Sequence, residues 1–296
     1  MSSNLQDRVA ALPCWRGAID IEPLGGGMTN ANFVVRDSTD RYVVRVGEDI
    51  PVHQLMRFNE LSASRAAHAA GISPPVVYSE PGLLVLGYVE GRTLDEPAVR
   101  DPQMLERIVA LVRRCHDEVP RHLRGPALVF WVFHVLRDYG HTLRDSASRH
   151  GEKLQRLADI AATLESQLVP TRIVFGHNDL LAANIIDDGS RLWLIDWDYA
   201  GFNSPLFDLG GLATNSELDR DAQMTVLAAY FGADPGSDLV RSFDVMKCAS
   251  LLRESMWSMV SEIHSELDID YGPYTAENLR RFEAAWDEFQ SNWMAG

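Results

Sequence analysis

Hydrophobic positions change their spacing part-way along the chain, and the change divides it. After a short helical stretch at Leu5–Leu12, apolar residues come in brief runs rich in Val, Ile, Tyr and Phe, at Ile19–Leu24, Ala31–Arg36 and Tyr42–Val46. Gly25-Gly26-Gly27 and Asp37–Asp40 separate them, which predicts an antiparallel meander. Leu55–Ala70 returns to helical spacing, with Leu55, Phe58, Leu61 and Ala66 on its apolar side and Gly71 as its stop. Two further strands, Val76–Tyr78 and Leu83–Leu86, meet at Glu80-Pro81-Gly82. The first 86 residues therefore read as a five-stranded sheet with one helix.

A connector over 87–91, bounded by Gly87 and Gly91, leads into a helix-rich remainder, 92–296. Helical spacing covers Met104–Glu118, Phe130–His150, Glu152–Leu168, Leu206–Asn215, Asp219–Phe231, Ser237–Leu267 and Thr275–Trp293. Between them lie short apolar runs at Arg172–Phe175, Ile185–Asp187 and Leu192–Ile195, which read as buried strands. The whole is an α+β chain with a small β-rich lobe and a larger helical one.

Two of these strands end in polar residues that buried strands avoid. Asp179 follows the first, Asn184 lies five residues later, and Asp196 ends the second, twelve further on. Asp and Asn often do no more than cap turns. Phosphoryl transfer, however, needs a carboxylate near the attacking hydroxyl and hard oxygen ligands for the magnesium ion on the nucleotide phosphates. Asp179 suits the first task, and Asn184 and Asp196 suit the second.

The glycine run continues into Met28-Thr29-Asn30. It reads either as a hairpin turn or as a phosphate loop, in which Gly26 and Gly27 let backbone N–H groups approach a nucleotide and Thr29 and Asn30 add donors. Arg45 alternates out of its strand, either as a surface charge or as the cation over the phosphates, with Glu60 on the next helix as its ion-pair partner, or Glu48 or Asp49 in its place.

Phe175-Gly176-His177-Asn178-Asp179 through Asn184, with Leu194-Ile195-Asp196-Trp197-Asp198-Tyr199, resembles the two signature motifs of the aminoglycoside phosphotransferase and choline kinase superfamily. The form His-Asn-Asp-Leu-Leu is closest to the choline/ethanolamine kinase branch. The resemblance runs from about Leu24 to Tyr274 and implies a bilobal protein-kinase-like fold, ATP and Mg²⁺. It extends to the glycine loop and to Arg45 in Val43-Val44-Arg45-Val46. It makes the connector around Tyr88 the adenine-binding hinge, and it gives Asp208 and His116 structural roles. His177 reads as an orienting residue, hydrogen-bonded to backbone near Asp196.

The same resemblance locates the acceptor pocket at 255–274, where Trp257 and Tyr274, with Tyr271 as a further candidate, match an aromatic cage for a quaternary ammonium; Met256, Trp257, Val260 and Ile263 also sit at core helical spacing, so that Trp257 reads either as cage or as packing. Glu254 stands where the family has a second cage tryptophan, and a carboxylate there suits a primary or methylated ammonium. Asp198 faces either the acceptor or the lobe interior. The expected reaction is ATP-dependent phosphorylation of choline or ethanolamine. An aminoglycoside- or thiamine-type acceptor is the alternative within the class, and a nucleotide-binding pseudokinase scaffold the alternative outside it.

Bulk properties narrow this only slightly. The formal net charge of −15 argues against general nucleic-acid binding and suits a cationic substrate. The three cysteines, Cys14, Cys115 and Cys248, form no CxxC pair. With neither a signal-peptide pattern nor an apolar run of membrane-spanning length, no membrane insertion is expected, and the cytoplasm is the expected compartment. Nothing in the pattern sets an oligomeric state.

Overall fold

The computed structural model describes residues 2–25, 29–267 and 269–294. Helix α1 (Ser2–Ala10) precedes a five-stranded antiparallel sheet of β1 (Asp20–Leu24), β2 (Ala31–Arg36), β3 (Arg41–Val46), β4 (Val76–Glu80) and β5 (Leu83–Gly87), in the order β1-β2-β3-β5-β4. Period-two alternation decides its faces. Phe33, Val35, Val44, Val46 and Val85 point to one side and form a core with Val9 and Leu12 of the N-terminal segment. Each such fully buried aliphatic contributes about 1.5–3 kcal/mol. Arg45, one position out of phase, faces the opposite side.

Helix α2 (Arg57–Ala69) occupies the crossover between β3 and β4. It starts two residues later than its pattern predicts, because Leu55 instead forms a bridge with Ile50. Its faces are also rotated from the expected ones: Phe58 is 45 % exposed, while Asn59, Glu60, Ala63, Ala66 and Ala67 are buried. The buried polar pair explains the rotation. The Asn59 amide donates to the Ala200 carbonyl at 2.7 Å and accepts from the Leu128 N–H at 3.1 Å, which ties this helix to the helical lobe.

The remainder begins with a two-residue strand β6 (Arg92–Thr93) and a short helix α3 (Glu96–Val99). Helices α4 (Pro102–His122), α5 (Val132–Asp145) and α6 (Gly151–Ser166) follow. Four short strands come next: β7 (Val174–Gly176), β8 (Ile185–Asp187), β9 (Leu192–Leu194) and β10 (Gly201–Asn203). The chain ends in α7 (Pro205–Asn215), α8 (Arg220–Phe231), α9 (Ser237–His264) and α10 (Gly272–Trp293). Helix α5 begins later than the periodicity predicts because Phe130 is extended, its N–H bonded to the Phe202 carbonyl. Among the described residues no helix is long and apolar enough to cross a membrane. Strand β7 pairs with β10, and β8 lies between β6 and β9. These two small sheets carry the polar loops of the site on the side that faces the N-terminal sheet.

Candidate active site

Strand β7 ends in Gly176, and the chain then turns sharply, with Asn178 at φ 64°. Asp208, near the start of α7, holds this turn from beneath. Its carboxylate accepts the N–H of His177 at 2.8 Å, the N–H of Asn178 at 2.6 Å and His116 Nε2 at 2.8 Å. Burial pushes the Asp208 carboxyl up, but the His116 hydrogen bond and charge outweigh it, and the group stays below the usual carboxylate range. A Cβ at Gly176 would lie 2.9 Å from both Asp208 Oδ2 and Asn178 Oδ1, so the close approach requires glycine. Asn178 reaches across to the Tyr199 and Gly201 carbonyls at 3.0 and 3.2 Å. His177 is fully buried and donates from Nε2 to the Ile195 carbonyl at 2.9 Å. Burial pulls its pKa down, which keeps it neutral in this orienting role.

Asp179 therefore sits at the end of a locked turn. Its own N-terminal neighbours spend their hydrogen bonds on structure, and its carboxylate is left facing the cleft. Burial raises its pKa to about 7; Arg253 opposes the rise, and Glu254, Asp196 and Asp198 add to it. Asn184 ends a 3-10 turn, and its amide donates to the Asp179 carbonyl at 3.0 Å, which leaves its oxygen as the accepting group. Asp196 follows β9 at φ 67°. Among the described residues no cluster of three or more His, Cys, Asp or Glu forms a metal cage. One amide oxygen and one carboxylate, both hard ligands, nevertheless fit Mg²⁺, which keeps water and phosphate oxygens in its remaining positions.

The opposite wall comes from the N-terminal lobe. Arg45 Nε lies 2.7 Å from Glu60 Oε1, and its Nη2 reaches Asp196 Oδ1 at 2.8 Å and Asp198 Oδ1 at 2.7 Å. Arg57, which sequence reasoning did not single out, adds contacts to Glu60 at 2.8 Å, Asp198 at 3.1 Å and the Thr29 carbonyl at 3.2 Å. Thr29 Oγ1 and Asn30 Nδ2 donate to Asp198 Oδ2 at 2.8 and 3.1 Å. Thr29, Asn30, Arg45 and Glu60 are thus brought together; Gly26 and Gly27 lie outside the described residues.

Four expectations need correction, three on the acceptor side and one at the hinge. Asp198 does not face an acceptor: both its oxygens are taken by Arg45, Arg57, Thr29 and Asn30. Those cations outweigh its burial and hold it below the usual carboxylate range. Trp257 is buried among other rings, stacked on His53 at 5.0 Å and edge-on to Tyr271 at 5.9 Å, with Nε1 donating to the Tyr199 hydroxyl at 2.8 Å. Tyr271 is also buried, so neither ring offers an open face. Tyr88 is on the surface under the Arg41 guanidinium, 4.1 Å away, and its N–H is bonded to the Arg41 carbonyl rather than left for adenine.

Tyr274 and Glu254 do meet, hydroxyl to Oε1 at 2.6 Å. Glu254 lines a narrow cleft of about 20 Å³ together with Asp179, Leu180, Phe207, Leu251 and Arg253. Arg253 is the other residue that sequence reasoning missed. It is buried, its Nη1 donates to Glu254 Oε2 at 2.9 Å, and its guanidinium lies 4.3 Å over the Tyr199 ring. The available signal was the charged pair Arg253-Glu254 inside the otherwise uncharged run Ala249–Val260 of α9, a helix buried on most of its surface.

A sheet-based lobe and a helical lobe, with a carboxylate, an amide and a second carboxylate on loops between them, define a small-molecule phosphotransferase of the protein-kinase-like architecture. The chain belongs to the phosphotransferase enzyme family (APH), whose model matches residues 20–243. Ethanolamine kinase 2 of Rattus norvegicus is 26 % identical over 285 residues, spanning 86 % of this chain and 73 % of that protein. The crystal structure of a choline/ethanolamine kinase family protein from Mesorhizobium loti superposes with a TM-score of 0.79 at 26 % identity, covering 98 % of this chain and 96 % of that one. The choline kinase LicA from Streptococcus pneumoniae has the same fold, with a TM-score of 0.76 at 22 % identity over 98 % and 99 % of the two chains.

Proposed function

We propose that this phosphotransferase moves the γ-phosphoryl group of ATP to the hydroxyl of a small amino alcohol, of the ethanolamine type in preference to choline. The observation that carries the preference is the acceptor-side wall, where Glu254 and Tyr274 stand beside Asp179 and the rings of Trp257 and Tyr271 are packed away. A primary ammonium can donate to a carboxylate, whereas a quaternary one needs exposed aromatic faces.

In this reading Asp179 orients the acceptor hydroxyl and takes its proton. The acceptor oxygen forms a bond to the γ-phosphorus as the bond to the ADP oxygen breaks, so the products are a phosphomonoester and ADP. Arg45 and the 25–30 loop hold the phosphates. Asn184 and Asp196 would hold Mg²⁺, which when bound offsets the negative charge on the phosphate oxygens. The cytoplasm, where ATP is abundant, is the compartment that suits this reaction.

The test is ADP release with ATP and Mg²⁺ across choline, ethanolamine, thiamine and an aminoglycoside. Turnover of ethanolamine above choline supports the proposal. Turnover of thiamine or the aminoglycoside, with silence on both amino alcohols, would overturn the acceptor assignment and leave the phosphotransferase in place.

A further inference from the structure

Asp198, on the helical lobe, takes donors from the sheet lobe on both of its oxygens. Oδ1 accepts from Arg45 at 2.7 Å and from Arg57 at 3.1 Å. Oδ2 accepts from Thr29 Oγ1 at 2.8 Å and from Asn30 Nδ2 at 3.1 Å. The residue is 4 % exposed, so these charge-assisted bonds form away from bulk water, where they are strongest. The two arginines hold one oxygen, and the residues that follow the glycine run hold the other.

A count of hydrogens shows what Thr29 and Asn30 have left. A threonine hydroxyl offers one donor and an asparagine amide two. The Thr29 hydrogen goes to Asp198. Asn30 spends one hydrogen on Asp198 and the other on Thr29 Oγ1, at 3.0 Å. Neither side chain keeps a donor for a phosphate, although the sequence casts both in that role. Arg57 holds the same segment from its own lobe, with Nη2 on the Thr29 carbonyl at 3.2 Å and Nε on the Glu48 carbonyl at 3.0 Å. Gly47 makes room for this packing, since a Cβ there would lie 2.6 Å from Asn30 Oδ1 and 2.9 Å from Arg57 Nη2. The Gly47 N–H is bonded to the Gly82 carbonyl at 3.1 Å, so Gly47 has no donor for a phosphate either.

We propose that Asp198 is a positioning residue for the nucleotide loop: it anchors Thr29 and Asn30, and neither of these side chains binds phosphate. The inference rests on the reading that the 25–30 loop lies against the ATP phosphates, and it gives the end of that loop a different task. Asp198 stands two residues after Asp196, the proposed metal carboxylate, so the loop end and the metal site share one short piece of backbone. Anchoring the loop end in advance removes an ordering cost that nucleotide binding would otherwise carry.

The experiment is a double-mutant cycle, read by calorimetric titration of the full chain with β,γ-imido-ATP and Mg²⁺. Thr29→Val keeps the shape of threonine and deletes its donor. Asp198→Asn keeps the shape of aspartate; its amide oxygen stays with the two arginines, and its NH₂ group then faces Thr29 and Asn30. The proposal expects Thr29→Val to weaken binding about two- to tenfold in the wild-type background but less than about twofold in Asp198→Asn. Thr29→Ser, which restores the donor, should bind like the wild type. Gly47→Ala, which displaces Asn30 and Arg57 without touching a donor, should weaken binding by a factor similar to Thr29→Val. Thermal melts without nucleotide check that each variant is folded. Equal losses from Thr29→Val in both backgrounds would put its hydroxyl on a phosphate, overturning the inference and leaving the nucleotide loop in place. Unchanged affinity in Thr29→Val would also overturn it, as would wild-type affinity in Gly47→Ala, which needs no variant at position 198. Absence of binding to the wild-type chain would overturn the nucleotide reading and the inference together.

Discussion

Arg45 and Asp196 are bonded to one another, Nη2 to Oδ1 at 2.8 Å. The proposed phosphate cation and the proposed metal carboxylate therefore neutralise each other in this structure. The same guanidinium also faces Glu60 and Asp198, both buried. Removing it would leave two buried carboxylates short of a counter-charge. Arg45→Met should lower the unfolding free energy by about 3–5 kcal/mol in urea denaturation. Arg45→Lys should lose less, because one point charge can still serve part of the cluster, yet its KM for ATP should rise several-fold. A stable Arg45→Met protein with unchanged KM for ATP would show that this cluster is neither structural nor part of the nucleotide site.

The raised pKa of Asp179 has consequences for rate and for stability. As proton acceptor it must be ionised, so kcat/KM for the acceptor should climb tenfold per pH unit below about 7 and level off above it. The stability effect has the opposite sign. A carboxyl whose pKa is higher folded than unfolded stabilises the fold when protonated. That contribution is complete below the unfolded value near 3.8 and is lost as pH rises through about 7. Asp179→Asn should therefore cost about 10²–10⁴-fold in turnover while ATP still binds. It should also be more stable than the wild type at pH 8, on the order of 1–2 kcal/mol, with the difference closing by pH 4. Thermal melts at the two pH values, together with calorimetric ATP titration, test both signs.

The reaction was far more legible in the sequence than the acceptor, for a physical reason. Asp179, Asn184 and Asp196 are placed by local backbone, a strand end, a 3-10 turn and a second strand end, and such elements are written in adjacent residues. The sheet was legible in the same way, since Val44, Arg45 and Val46 alternate with the pleat. The acceptor wall is set by packing between elements remote in the chain. Trp257 meets His53 and Tyr199 across about 200 and 60 residues respectively, and helical spacing alone cannot tell a core ring from a cage ring. Arg253 escaped because a charge next to Glu254 reads as a solvated helix face. Helical spacing assigns Phe58 to the wrong face because Asn59 bonds to the other lobe and Glu60 to Arg45 and Arg57 of its own, and those bonds outweigh one exposed ring.

Asp208 supports the turn that carries Asp179, the proposed proton acceptor, by three hydrogen bonds, so its loss should act on folding and on chemistry together. Asp208→Ala would leave the His177 and Asn178 N–H groups and His116 without their acceptor in a dry interior. A loss of about 3–5 kcal/mol is expected, with turnover down at least about 100-fold even where the protein still folds. Gly176→Ala probes the same turn from the other side. Its added methyl would meet Asp208 Oδ2 and Asn178 Oδ1 at 2.9 Å, so backbone or carboxylate must shift. A reduced kcat with nearly unchanged KM for ATP is the expected signature in steady-state kinetics. Full activity in Gly176→Ala would show that the turn tolerates displacement.

Trp257 and Tyr274 are aromatic residues of one short region, yet their surroundings separate their roles. Trp257 is packed against two rings and donates to Tyr199, whereas Tyr274 is 40 % exposed and touches Glu254 through its hydroxyl. Trp257→Phe removes a buried hydrogen bond and some core volume, so it should cost about 1–3 kcal/mol of stability. The acceptor KM should stay within about twofold, since the ring lines no part of the cleft. Tyr274→Phe deletes one oxygen at the surface and should change stability by about 0.5 kcal/mol or less. It releases Glu254 Oε1, however, and a carboxylate that is no longer oriented should raise the acceptor KM several-fold with little change in the KM for ATP. Paired denaturation and kinetic measurements on the two variants separate these outcomes. A large rise in acceptor KM in Trp257→Phe at unchanged stability would return that ring to the binding site.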